Sequence, residues 1–262
     1  MKVWSFLPAL ALSYGLAMRA WSFTNTRELW AQAKSLLDSA KDQEVTGNLI
    51  GAEHNCLQAL VIAKQLPANE YRVQSDVLQA LGNVYEKEGK TSEAEVVYKE
   101  RLDLLIARQK GIDLAVGNAL FELESLYEAT GREQQGSEFY ARASDFYQYC
   151  KTDAKRRGDA SLASACDRRL ADVQGIRGAS LFEHKHPEEA ESILRMVVGR
   201  SDDQVRPENL EAALMALTAI CLQHGSTGEA KALALRAWQL RTKYPEARNV
   251  PWPDPFNPLV RP

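Results

Sequence analysis

The sequence predicts an all-α chain, a solenoid of antiparallel helix hairpins, and three observations predict it. One short pattern returns several times along the 262 residues. Apolar residues recur with helical periodicity over most of the chain, and glycines stand between the periodic stretches where two helices must turn. With 45% apolar and 26% charged residues the chain can bury a core, and 8% aromatic residues is too many for a disordered one.

Taken in order, residues 1–17 read as an export signal. Met1 and Lys2 precede an apolar run from Val3 to Leu16 and the small-residue site Gly15-Leu16-Ala17. Cleavage is expected after Ala17, which places the mature chain in a periplasmic or secreted setting. The alternative is an uncleaved, membrane-anchored form, although the run is shorter than the roughly 20 residues that span a bilayer and Pro8 interrupts it. Thr26 to Lys41 then carries Leu29, Trp30, Ala33, Leu36 and Leu37 at helical spacing, and Leu49 to Leu66 carries a second apolar stripe, so the two form a first hairpin. Pro67-Ala68-Asn69-Glu70 breaks the pattern.

The repeat itself follows. Leu78, Leu81, Gly82, Tyr85, Gly89, Ala94 and Tyr98 return 42 residues later as Leu120, Leu123, Glu124, Tyr127, Gly131, Gly136 and Tyr140. A small residue such as Gly82 or Ala94 lets two helices approach closely, and Leu81, Tyr85 and Tyr98 fill the space around that contact. Gly89 and Gly131 suit the left-handed turn between the helices. A third copy reads Gly178, Leu181, Ala190 and Leu194, with Pro187 opening its second helix, and Gln174 and Arg177 standing where leucines are expected. A fourth reads Leu214, Leu217, Cys221, Gly225, Ala230 and Ala234, with Ala234 in the place of the aromatic.

These residues resemble the tetratricopeptide repeat (TPR) family, in which a first helix presents a large-Leu-Gly-Tyr face and a second presents a small residue and then an aromatic. The intervals of 42, 54 and 40 residues exceed the common 34 and resemble the long-helix, kinesin-light-chain-like variant. The resemblance covers residues 24–244. It implies a right-handed superhelix whose first helices line a continuous inner groove.

Residues 245–262 differ in kind, with Pro245, Pro251, Pro253, Pro255, Pro258 and Pro262 in the last eighteen positions. No helix continues through them. They read as an extended tail, loose or laid along the surface through Trp252, Phe256 and Leu259.

Charge and motif content exclude several functions. A formal net charge of -3, with both signs mixed along the chain, supplies no field for nucleic acid. Lys155, Arg156 and Arg157 before Gly158 read as a helix C-terminus. Gly89-Lys90-Thr91 lacks the second glycine of a phosphate loop, since position 84 is Val84. His184 and His186 flank Lys185 at a turn, and no spacing of histidines or of the four cysteines matches a metal site. Neither a cofactor nor a catalytic residue is expected.

A binding groove is expected instead. The repeat frame places Asp76, Gln79, Asn83, Glu86 and Lys87 inward in one copy, and Asn118, Phe121, Ser125 and Glu128 in the next. Amides hydrogen-bond an extended peptide backbone from both ends, which singles out Gln79, Asn83 and Asn118. The family's carboxylate clamp needs a cationic set that Asp76, Glu86, Glu122 and Glu128 replace here, so chaperone-tail binding is disfavoured. In the last copy the inward residues are Ala212, Met215, Ala219 and Leu222, an apolar stretch that the tail, a partner or a second copy in a homo-oligomer is expected to cover. The function expected is an exported scaffold or assembly adaptor for another polypeptide.

Cys150 and Cys166 carry a separate expectation. Periodicity through Tyr140, Ala143, Phe146 and Tyr147 breaks at Gly158 and resumes with Leu162, Ala163, Cys166 and Leu170, which describes an antiparallel hairpin. Each cysteine lies eight residues from Gly158, so a disulfide between them is expected in an oxidising compartment, and two small buried thiols are the other reading. Cys56 and Cys221 fall at core positions and are expected to stay thiols.

Overall fold

The computed structural model describes residues 7–108 and 111–245, with side chains from residue 25 onward. The described residues form ten α-helices and one short 3-10 turn, with no strand. The helices are α1 (Leu7–Val45), α2 (Leu49–Ala63), α3 (Tyr71–Lys87), α4 (Thr91–Arg108), α5 (Leu114–Ala129), α6 (Glu133–Arg156), α7 (Ala160–Glu183), α8 (Pro187–Val198), α9 (Pro207–Gln223) and α10 (Thr227–Lys243). Ala17 lies inside α1, which runs unbroken from the apolar segment into the first hairpin. The expected docking of Trp252, Phe256 and Leu259 falls outside the described residues. Among the described residues no helix is long and apolar enough to cross a membrane.

The chain divides into two compact units, residues 1–136 and 137–262. In the first, α1 packs on α2 and α3 on α4, and α5 follows against α4. Leu37, Ala40, Cys56, Ala59, Val77, Leu78 and Leu81 make one core, and Ala33, Ala63, Leu66 and Val73 another. Each fully buried leucine contributes about 1.5–3 kcal/mol by leaving water. The α3–α4 crossing is closest at Gly82, where an added Cβ would lie 2.2 Å from Tyr98 Cε1. Asp113 caps α5 by accepting from Ala115 N at 3.1 Å, and it also accepts from Tyr71 Oη at 3.0 Å, so one buried carboxylate ties α5 to α3.

The second unit repeats this logic with α7 on α8, α9 on α10, and α9 against both α7 and α8. Its core is built on Leu194, Val197, Leu210, Leu214, Leu217, Ile220 and Cys221. Gly178 meets Leu194 as Gly82 meets Tyr98, with an added Cβ 2.7 Å from Leu194 Cδ2. Pro187 opens α8, as the sequence indicates. Asp172 accepts from Arg206 N at 3.1 Å and from Asn209 Nδ2 at 3.0 Å, fixing the entry to α9. The two residues that depart from the leucine pattern differ in burial: Gln174 is half-buried, whereas Arg177 is buried, with Nη2 donating to Ser137 Oγ at 2.7 Å and the guanidinium 5.7 Å from the Tyr140 ring.

Candidate functional site

The inward residues of α3 and α5 meet in a layer of polar contacts. Gln79 on α3 donates from Nε2 to Glu122 Oε1 on α5 at 2.6 Å. Glu122 also takes a hydrogen bond from Arg101 Nη1, and Arg101 Nε donates to Ser75 Oγ at 3.2 Å. Arg101 belongs to α4 and is only 2% exposed, so its charge is matched beneath the face rather than presented on it. One turn along α3, Asn83 Oδ1 accepts from Tyr98 Oη at 2.8 Å, and the same phenol lies 3.0 Å from Glu86 Oε2.

Burial raises the pKa of both Glu86 and Glu122 above the ordinary carboxylate value. The Tyr98 hydrogen bond works against that rise at Glu86, and Arg101 works against it at Glu122. The Glu86 charge pushes Glu122 up further, so the two carboxylates lie within electrostatic reach of each other.

No family model and no curated protein sequence matches the chain. Solved structures do. BtubC (BKLC) from P. vanneervenii aligns with a TM-score of 0.66 over 94% of this chain and 92% of its own, at 16% identity. The assembly chaperone of RpL4 (Acl4) aligns with a TM-score of 0.53 over 86% of this chain and 80% of its own, at 18% identity. A protein of Podosopora anserina assigned to the kinesin light chains, built of nearly identical TPR-like repeats, aligns with a TM-score of 0.56 over 82% of this chain and 97% of its own, at 18% identity. The fold is that of the tetratricopeptide repeat.

In the TPR frame α3 and α5 are the first helices of their pairs, and the other residues expected in the groove from these copies lie on the same two helices. Asp76, Lys87 and Ser125 are exposed, and Asn118, Phe121 and Glu128 are half-buried. Lys87 Nζ pairs with Glu44 Oε1 at 2.8 Å. Gln79 and Asn83, read from the sequence as groove amides, each spend one bond on a neighbouring helix. In the second unit Met215 and Leu222 are half-buried against the core that α9 shares with α7, α8 and α10.

Arg101 and Tyr98 belong to the site although the repeat frame does not place them in the groove. Their signal was present: Ala94, Val97, Tyr98, Arg101, Leu102 and Leu105 form one stripe along α4, so periodicity alone puts a lone arginine on the buried face. Glu95 on α4 joins a second polar cluster, accepting from Lys99 Nζ at 2.6 Å, Tyr127 Oη at 2.9 Å and Arg132 Nη1 at 2.6 Å. Lys99 first, then Arg132 and Tyr127, hold its pKa down to about 2. Glu95 therefore fastens α4 to α5 and the turn after it.

Proposed function

We propose that this TPR chain is an exported scaffold or assembly adaptor that holds an extended, basic polypeptide segment across the face of α3 and α5. The observation that carries this reading is the composition of that face. Gln79 and Asn83 each have hydrogen-bonding capacity beyond the single bond they make, which a peptide backbone can use. Asp76 and Glu86 on α3 and Glu128 on α5 supply the acidic groups of that face, while Glu122 and Glu44 match the nearby cations Arg101 and Lys87. A face of that sign favours lysine and arginine side chains and repels acidic segments. An assembly chaperone with the same fold supports the adaptor reading. The N-terminal signal segment supports export, and the membrane-anchored form is the alternative if that segment is kept. The chain binds a partner in this reading and catalyses nothing.

The test is binding of fluorescent extended peptides, one lysine- and arginine-rich and one acidic, to the purified chain. The basic peptide is expected to bind and the acidic one to fail. Glu86→Gln, which keeps an acceptor for Tyr98, is expected to weaken the basic peptide on the order of tenfold, or about 1.4 kcal/mol. Because the pKa values of Glu86 and Glu122 are raised, their charge is lost as pH falls through a value above the ordinary 4.5, and affinity is expected to fall in that window. Equal binding of both peptides, or an unaltered affinity in Glu86→Gln, removes the reading.

A further inference from the structure

α6 and α7 are joined through Gly158, whose φ of +75° turns the chain back, and Asp159 caps α7 by accepting from Leu162 N at 2.9 Å. Residues equally far from that turn face one another. Lys151 on α6 ties the two helices together, its Nζ donating to Asp167 Oδ1 on α7 at 2.6 Å. Arg200 Nη1 holds the same Asp167 oxygen at 2.8 Å, so this rung of the hairpin is braced from a third segment. Cys150 and Cys166, each eight residues from Gly158, lie beside that pair. Both are free thiols and fully buried, and Cys150 lies within electrostatic reach of Cys166. Cys56 sits instead in the first unit's core and Cys221 in the second unit's.

We propose that Cys150 and Cys166 close to a disulfide that staples α6 to α7 when the chain folds in the presence of a small-molecule disulfide oxidant. One of the two thiolates attacks the oxidant, forming a mixed disulfide and releasing one oxidant thiolate. The other cysteine's thiolate then attacks that protein sulfur and releases the second oxidant thiolate. The protein gives up two electrons and two protons, and the oxidant leaves as two thiols.

In the finished fold burial, and after it the neighbouring Cys166, pushes the Cys150 thiol up to about 12. Burial also raises Cys166, so the finished fold reacts slowly and closure belongs to folding, before the rung is sealed from solvent. A loop of about 15 residues closed in this way shifts the unfolding equilibrium on the order of a hundredfold.

The test refolds the full chain with oxidised glutathione and maps its peptides without reduction, so it is independent of export and of any partner. Expected are two free thiols, at Cys56 and Cys221, a Cys150–Cys166 linked peptide, and a denaturation midpoint that falls on reduction. Oxidant added to folded protein is expected to act at least about tenfold more slowly than oxidant present during refolding. Cys150→Ala and Cys166→Ala should each abolish the redox shift of the midpoint. If neither variant folds, the thiol count of the unaltered chain still decides. Four thiols after refolding in oxidant, a link through Cys56 or Cys221, or a redox shift that survives in Cys150→Ala overturns the proposal.

Discussion

Lys185 occupies the turn between α7 and α8 with a φ of 67°, a conformation that glycine takes at positions 89, 131 and 225 in the other turns of the repeat. A side chain there crowds its own carbonyl and costs on the order of 1 kcal/mol. Lys185→Gly is expected to raise stability by about 0.5–1 kcal/mol, less what glycine's freer unfolded chain takes back, and urea denaturation measures it. A midpoint that stays or drops would show that Lys185 makes contacts worth the strain. The sequence placed this lysine in a turn because His184 and His186 flank it before Pro187. Its left-handed backbone could not be read there, since lysine gives no sign of adopting it. Arg101 shows the converse case, in which helical periodicity put the residue on the buried face and only its partners Ser75 and Glu122 were missing.

Two helix hairpins in this chain are closed by complementary volumes. Gly82 meets Tyr98 and Gly178 meets Leu194, each pair sixteen residues apart, and the matching positions of the last hairpin hold Thr218 and Ala234, both fully buried. Gly82→Leu is expected to destabilise the chain by roughly 1–3 kcal/mol through overpacking. Adding Tyr98→Ala in the same chain should restore part of that loss, because the new side chain takes the space the ring vacates, and a double-mutant cycle by thermal or urea denaturation measures the coupling. Strictly additive effects would mean that the two residues do not share one space. The sequence showed the small and large positions of each copy separately, while their opposition came from the approach of the helices.

At the scale of the whole molecule, the described part of the N-terminal apolar segment is the first stretch of the 39-residue helix α1. Export with cleavage after Ala17 would leave α1 starting at Met18, and N-terminal sequencing of the secreted chain is expected to read from that residue. A chain that begins at Met1 and fractionates with membranes would favour the anchored form. Sequence alone determined the helices, their turns and their pairing into repeats, because apolar period, proline and glycine are local signals that act within a few residues. Tertiary structure alone decided that Gln79 binds Glu122, that Asn83 binds Tyr98, and that Arg101 pairs with Glu122. These contacts join residues 15 to 43 positions apart, so they depend on the rotation and approach of whole helices, which a period of 3.6 residues does not encode.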